Sequence, residues 1–197
     1  MRARYFYGWN VVGGTFVMAL GSFGLGFYGI AAYVAALQQL HGWSASVVSA
    51  PVTVYYVAGA LLTAVIASAY ERFGPRVVVA TGAAAMAAGV AALGAVDHPW
   101  QLYPVFLVMS VGWGAMSGAA INIIIAPWFQ RRRGLAVSLA FNGATLGGVL
   151  VTPGLIHLVG ALGFARAVTV AALALLLALL AVAAGVMQSR PEALGLG

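Results

Sequence analysis

The stretch AVTVAALALLLALLAVAAGVM, residues 167–187, contains no charged residue and is long enough to cross a lipid bilayer. A transmembrane helix needs about 20 mainly apolar residues, because it rises about 1.5 Å per residue through a hydrocarbon core about 30 Å thick. Five further apolar runs of comparable length precede it. We therefore predict six transmembrane helices, with spans near residues 10–38, 46–69, 77–96, 102–127, 134–157 and 166–187.

Apolar residues dominate the whole composition. Hydrophobic residues make up 63% of the 197 residues, charged residues only 6%, and the mean hydropathy is +1.03. Soluble domains carry roughly 25% charged residues, so a water-soluble fold is excluded, and with it a soluble nucleic-acid-binding protein. The length accommodates about six spans but not twelve. The predicted fold is an all-α membrane protein, with a six-helix bundle over residues 1–189.

The positive charge lies in short clusters between the apolar runs. All nine basic residues are arginines, and eight of them fall on one side of the predicted membrane, with only Arg166 on the other. Cytoplasmic loops carry an excess of Lys and Arg, so this side is predicted to be the cytoplasm and both ends of the chain to lie inside. The Ala-, Gly-, Val- and Arg-rich composition would suit a GC-rich bacterial genome, and we expect a bacterial inner (plasma) membrane as the location. The eight arginines are Arg2, Arg4, Arg72, Arg76, Arg131, Arg132, Arg133 and Arg190.

Aromatic residues cluster near the predicted span ends, where Trp and Tyr anchor helices at the membrane interface. We expect such anchoring for Trp9, Trp43, Trp100, Tyr103, Trp128 and Phe129.

Polar residues follow one face of four of the six spans. In lipid, a polar helix face indicates contact with protein or water. Hydrogen bonding inside the bundle and the lining of a solute cavity are both open explanations. The stripes are Thr15, Ser22, Gly26, Gly29 and Tyr33 in span one; Ser49, Thr53, Tyr56 and Thr63 in span two; Ser110, Gly114 and Ser117 in span four; and Ser138, Asn142, Thr145 and Thr152 in span five.

Spans three and six lack such stripes, so the order striped, striped, plain occurs twice. This order is typical of two three-helix repeats in which the third helix faces lipid. In span five, Gly143 and Gly147 lie opposite the polar stripe and predict a surface for close helix packing.

The loop ASAYERFGPR, residues 67–76, separates spans two and three. Gly74 and Pro75 are expected to break the helix there. Its three charged residues are expected to form a local charge network: Glu71, Arg72 and Arg76.

This loop resembles the signature loop of the major facilitator superfamily, GxLxDRxGRR. Ala67 stands where the family has its first glycine, and Pro75 completes a GPR ending found in some branches. The matching positions are Glu71 in place of aspartate, Arg72, Gly74 and Arg76.

A second loop, WFQRRRGLAVSLAFNG at residues 128–143, is similar to the fifth-helix signature YFxKRRxLAxGxAxAG of the monocarboxylate-transporter and oxalate/formate-antiporter branches. Trp128 replaces Tyr, Ser138 replaces Gly and Asn142 replaces Ala. The matching positions are Phe129, Arg132, Arg133, Leu135, Ala136, Ala140 and Gly143, with Arg131 as a conservative replacement.

The resemblance implies half of a secondary transporter that moves a small organic anion, such as a mono- or dicarboxylate, by alternating access. Residues 190–197 resemble the start of the central cytoplasmic linker of such proteins. Because the substrate site lies between the halves, the implied partners are the bilayer, a small organic solute and a complementary six-helix half: a second domain, a second copy or another chain. A non-transporting membrane scaffold or assembly partner is the alternative.

The resemblance also implies roles for particular residues. No ionisable residue lies deep in a predicted span, so the candidates for lining the cavity are Tyr28, Tyr33, Tyr56 and Asn142. Orientation and contact with lipid headgroups are equally open for the arginine triplet. The implied cytoplasmic gate comprises Glu71, Arg72, Gly74, Arg76, Arg131, Arg132 and Arg133.

Catalysis is not predicted. The sequence contains no cysteine, and the spacing of its three histidines fits no metal site, so neither a metal nor a cofactor is expected. An intramembrane serine protease using Ser117 and His157 is a remote alternative, because the GxSG turn around the serine is missing.

Overall fold

The computed structural model describes residues 6–187, and every regular element in that range is a helix. Arg2, Arg4, Arg190 and the predicted linker at 190–197 lie outside the described residues. The α-helices are α1 (Gly8–Phe23), α2 (Gly29–His41), α3 (Ala45–Ala92), α4 (Leu102–Met116), α5 (Gly118–Ile125), α6 (Arg133–Leu146), α7 (Thr152–Leu162) and α8 (Phe164–Gly185). Two 3₁₀ turns, Leu93–Ala95 and Pro99–Gln101, and two π-helical segments, Gly24–Tyr28 and Gly147–Val151, join some of them.

Five continuous helical stretches in the described range are long and apolar enough to cross a membrane. Four of them coincide closely with predicted spans one, four, five and six, and the remaining stretch contains both span two and span three. The stretches are Gly8–His41, Ala45–Ala95, Pro99–Ile125, Arg133–Leu162 and Phe164–Gly185.

Helix α3 is interrupted at Gly74, as the Gly-Pro pair predicts. Gly74 has φ 76° and ψ 164°, a conformation that is essentially restricted to glycine. Pro75 follows, is buried, and begins the second arm of the helix, where its missing N–H leaves no helical hydrogen bond unmade. The arms, 45–73 and 75–92, correspond to predicted spans two and three. The count of six spans and their orientation remain predictions.

The first and fifth spans each contain a π-helical segment near the middle. In Gly24–Tyr28 the N–H of Gly29 bonds the carbonyl of Gly24, and in Gly147–Val151 the N–H of Thr152 bonds the carbonyl of Gly147. The two segments lie against each other: a Cβ on Gly147 would lie 2.9 Å from the amide nitrogen of Gly24. Glycine at this contact lets the two backbones meet, and π-helical turns are frequent at functional sites.

The fourth span is broken at Ser117, whose ψ of −177° is extended rather than helical. The break leaves the last carbonyl groups of α4 without helical partners. Side chains from two other helices supply them: the hydroxyl of Tyr70 bonds Ala115 O at 2.8 Å, and that of Ser22 bonds Met116 O at 3.2 Å. A buried carbonyl without a partner is costly, so these bonds make the break tolerable in an apolar interior.

Close approaches at glycine hold the bundle together. Helix α4 packs against both arms of α3: a Cβ on Gly114 would lie 2.7 Å from Leu62 Cβ, and one on Gly112 would lie 2.6 Å from Met86 Cβ. Small residues at helix crossings raise van der Waals contact, which is the main attraction between helices in lipid.

The outer surface is strongly apolar. Leu173, Leu177 and Leu180 of α8 are exposed, Leu177 by 67%. Leaving a leucine side chain in water forgoes about 1.5–3 kcal/mol, so this surface is suited to hydrocarbon rather than to water.

Candidate functional site

A cluster of aromatic rings is assembled from the four striped spans. Its members come from the first π-helical segment and the end of α1, from the first arm of α3, from α4 and from α6. We call it the aromatic cluster; it comprises Phe23, Phe27, Tyr28, Tyr55, Tyr56, Phe106, Trp113 and Phe141.

Phe27 and Trp113 form the one nearly parallel pair of this cluster. Their ring centroids are 5.8 Å apart and their planes differ by 20°. Phe23 meets the indole edge to face at 5.0 Å. The indole also lies against the backbone of α3, since a Cβ on Gly59 would come within 2.6 Å of Trp113 Cδ1. Gly59 therefore provides the space that the indole occupies.

The inner side of the cluster is buried and fixed by a hydrogen bond. Tyr55 is fully buried, and its hydroxyl donates to the carbonyl of Gly26 at 2.5 Å. Gly26 belongs to the first π-helical segment, so this bond ties the irregular turn to α3. Phe106 packs on the Tyr55 ring with a centroid distance of 5.9 Å.

The outer side of the cluster is open. Phe27 is 43% exposed and Tyr28 is 40% exposed, while Tyr56 is half-buried. Within residues 6–187, neither the Tyr28 hydroxyl nor the Tyr56 hydroxyl makes a hydrogen bond. Both can therefore serve a bound molecule as donors or acceptors.

Asn142 of α6 is exposed and follows Phe141, a member of the cluster. Its side-chain amide has no hydrogen-bond partner in the described part of the chain. Three of the four residues predicted to line a cavity, Tyr28, Tyr56 and Asn142, thus present free polar groups at the surface of this single chain.

Tyr33, the fourth predicted cavity residue, is placed differently. Its side chain is completely buried in the bundle, and its hydroxyl has no hydrogen-bond partner. It lies on α2, beyond the π-helical segment, and does not reach the open face.

The polar stripe of span one also turns inward. Thr15 and Ser22 are buried, the former bonding Val11 O at 2.7 Å and the latter bonding Met116 O. For this span, bonding within the bundle accounts for the stripe. In spans two and five, by contrast, Thr53 and Thr145 are exposed, so their polar faces are available for contact with another protein surface.

Gly143 and Gly147 lie against α1, opposite the exposed stripe of their own span. A Cβ on Gly143 would collide with the carbonyl of Phe16, and one on Gly147 would lie 2.5 Å from Leu20 O. Any side chain at either position would therefore push the two helices apart.

The charge network expected in the loop at 67–76 is not formed. Among the described residues, Glu71 makes no ion pair with an arginine. Arg72 instead places its guanidinium over the ring of Phe73, 5.2 Å from the centroid. The physical reason is that Glu71, Arg72 and Arg76 are all exposed, and an ion pair between solvent-exposed side chains gains little.

The arginine triplet precedes and begins α6, with Arg131, Arg132 and Arg133 all exposed. Positive charge at a helix N-terminus opposes the helix dipole by about 0.3–1 kcal/mol, so the triplet does not serve the stability of α6. Its position favours a role outside the helix itself.

Two of the expected interface anchors are buried instead. Trp128 and Phe129 are only 5% and 6% exposed. Phe129 packs on Phe6 and Trp9, with ring centroids 5.3 and 5.1 Å away. These rings therefore connect the loop that follows span four to the start of the first helix. Trp100, by contrast, is 65% exposed.

The described residues contain no serine-histidine pair that could act as a nucleophile and its base. The Ser117 hydroxyl is buried and directed at Gly114 O, 3.4 Å away, while His157 is exposed on α7 and makes no hydrogen bond to it. A protease therefore receives no support from this geometry.

Comparison with known proteins identifies relatives. The family profile of the Major Facilitator Superfamily matches residues 12–196. The "MFS-type transporter 1" of Ophiocordyceps sp. (strain BCC 1869) is 30% identical over 180 residues, which cover 89% of this chain and 39% of that protein. The "Oxalate:formate antiporter" of Oxalobacter formigenes is 35% identical over 77 residues, which cover 39% of this chain and 18% of that protein.

Proposed function

The chain belongs to the major facilitator superfamily, and on that premise we propose that it is one six-helix half of a secondary transporter for a small organic anion. It is an integral, multi-pass membrane protein of a family of carriers rather than enzymes. The chain spans about two fifths of the length of the Ophiocordyceps transporter that it matches. The proposed transport activity is therefore that of an assembly of this chain with a complementary half.

The exposed face around the aromatic cluster carries the proposal. Spans one, two, four and five contribute to it, and it presents hydrogen-bonding groups that nothing in the described chain satisfies, at Tyr28, Tyr56 and Asn142. In transporters built from repeats, the solute site lies near the midplane between two such bundles. We infer that this face forms one wall of the solute cavity and that the complementary half forms the other.

The charge of the solute is inferred from two observations. The second relative is named an oxalate:formate antiporter, and the loop at 128–143 carries the signature spacing described for that branch. The face itself contains no ionisable group other than tyrosine. A cation that balances a carboxylate must therefore come from the complementary half, because an unpaired charge in the bilayer interior is expensive.

The cytoplasmic loops supply the proposed gate. We propose six spans, with α3 divided at Gly74 and both chain ends inside, in a bacterial plasma membrane. The loops at 71–76 and 131–133 then lie on one side of the membrane, where their exposed arginines can contact the other half or lipid phosphate. Rocking of the two halves would open and close this side in turn.

Counterflow tests the proposal. Proteoliposomes are prepared with the full natural polypeptide that carries these residues. They are loaded with unlabelled oxalate, formate, lactate or benzoate, and uptake of the same labelled acid is followed. We expect accumulation of at least one acid by the full polypeptide. A well-folded polypeptide that accumulates none of them would reject the anion carrier and favour the scaffold.

A further inference from the structure

The Phe27–Trp113 pair lies close to mid-depth in the bundle. Phe27 is the twentieth of 34 residues in the stretch Gly8–His41, and Trp113 is the fifteenth of 27 in Pro99–Ile125. At about 1.5 Å per residue, both rings lie within a few ångströms of the middle of their helices. This is the depth expected for the solute in transporters of this architecture.

Contacts on several sides hold the pair in place. The indole of Trp113 lies against Gly59 and under the edge of Phe23, and Phe27 is held between Tyr28 at 5.1 Å and Tyr56 at 6.1 Å. The interplanar angles of the two tyrosine contacts are 86° and 71°, so the tyrosines meet the phenyl ring at steep angles rather than stacking on it, and Phe27 remains 43% exposed. A preorganised surface loses little conformational entropy on binding.

The chemistry presented by this surface is specific. Phe27, which is 43% exposed and backed by the nearly parallel Trp113 ring, offers an apolar surface for offset stacking, which favours a flat π-system over a puckered saturated ring of the same size. The hydroxyls of Tyr28 and Tyr56 belong to rings in contact with Phe27 and can donate to a carboxylate. A flat carbon skeleton that carries a carboxylate matches both features.

We propose that Phe27 and Trp113 form a stacking platform that selects planar carboxylates, aromatic or conjugated, over saturated ones, and that Gly59 is the residue that positions the platform. This inference rests on the proposed function and narrows its substrate class. Gly59 acts indirectly, because any side chain there would displace the indole from the position it holds against α3.

Matched inhibitors of equal charge and carbon number test the platform. Benzoate and cyclohexanecarboxylate are each added as inhibitors of the counterflow of a labelled acid that the full natural polypeptide accumulates in proteoliposomes. We expect benzoate to inhibit at a concentration about threefold to tenfold lower, the factor that one aromatic contact contributes. In the Trp113→Leu and Gly59→Ala variants, the ratio of the inhibitory concentration of cyclohexanecarboxylate to that of benzoate should fall towards one. The control Trp100→Leu, at a ring 65% exposed near the opposite end of α4, should keep the wild-type ratio.

The outcomes separate the two proposals. Absence of any carboxylate counterflow by the folded wild type would overturn the anion carrier and the platform together. Counterflow with equal inhibition by the two acids would overturn the platform alone, as would an unchanged ratio in a Trp113→Leu protein with wild-type elution from a sizing column. Stronger inhibition by phenyltrimethylammonium than by benzoate would show a cation-binding face, because cations also favour ring faces, and would overturn the carboxylate assignment.

Discussion

The hydroxyl of Tyr70 donates a 2.8 Å hydrogen bond to the carbonyl oxygen of Ala115, where α4 ends at the extended residue Ser117. Tyr70 lies within the segment 67–76 that separates spans two and three, so this bond connects that segment to the break in the fourth span.

Replacing Tyr70 with Phe removes this bond and leaves the Ala115 carbonyl without its partner in an apolar interior. We expect a decrease of about 1–3 kcal/mol in the free energy of unfolding, measured by titration with sodium dodecyl sulfate in mixed micelles. Tyr103→Phe is the matched control, since Tyr103 is 41% exposed and makes no hydrogen bond among the described residues. Equal unfolding midpoints for the two variants would contradict the role given to this bond.

Replacing Gly74 with Ala places a side chain where φ is 76° and ψ is 164°. We expect a loss of about 1–3 kcal/mol in the same assay, because this region of backbone space is essentially restricted to glycine. Gly13→Ala is the control: it lies in α1 with open space around it, and the change should be neutral or stabilise by up to about 1 kcal/mol. A Gly74→Ala protein as stable as Gly13→Ala would be incompatible with the described break.

Replacing Gly143 with Ala puts a Cβ into the carbonyl of Phe16, so α1 and α6 must separate. Overpacking of this kind destabilises by about 1–3 kcal/mol. The yield of folded protein on a sizing column should fall accordingly. Gly160→Ala on α7, where a Cβ meets nothing within 4 Å, should elute as the wild type does. Normal yields from both variants would mean that the helices are further apart than described.

Engineered cysteines test the proposed orientation against a clean background, because the sequence contains no cysteine. With a membrane-impermeant maleimide on intact cells, Asp97→Cys should be labelled and Gln130→Cys should be labelled only after lysis. Labelling of Gln130→Cys from outside would reverse the topology and remove the cytoplasmic gate.

Replacing Asn142 with Ala, or Tyr56 with Phe, removes a free polar group from the proposed cavity wall. We expect the KM for the transported acid to rise about twofold to tenfold at unchanged expression, the effect of one hydrogen bond. Asn122→Ala is the control for the first change, since the Asn122 amide bonds Gly118 O within its own helix. If the KM of either variant equals that of the wild type, the residue changed in that variant does not line the cavity.

The lengths and approximate limits of the apolar runs could be predicted from sequence because hydrophobic thickness fixes them. The break at Gly74 could also be predicted, because a Gly-Pro pair seldom lies within an uninterrupted helix. The break at Ser117 could not be predicted with the same certainty, because the Ser117–Gly118 dipeptide is a weaker signal than Gly-Pro and the stability of the break depends on hydroxyls from Ser22 and Tyr70, distant in the chain.

The candidate site was only partly accessible from sequence. A stripe of polar residues does not reveal whether its face meets another helix or a cavity, so the inward stripe of Thr15 and Ser22 looked the same as the outward one of Thr53. The aromatic cluster was missed because its rings come from four spans and only the packing brings Phe27 next to Trp113. Tyr28 lies off the stripe of its span, and the irregular turn that contains it accounts for its exposure.

The two π-helical segments have an evolutionary consequence. Each turn with an i to i+5 hydrogen bond holds one more residue than an α-helical turn, so it has the geometry of an α-helix with one residue inserted. Deleting or inserting that residue rotates the part of the helix that follows the segment by about 100°, while the part that precedes it keeps its contacts. A lineage could in this way present a new set of side chains to its solute without rebuilding the bundle.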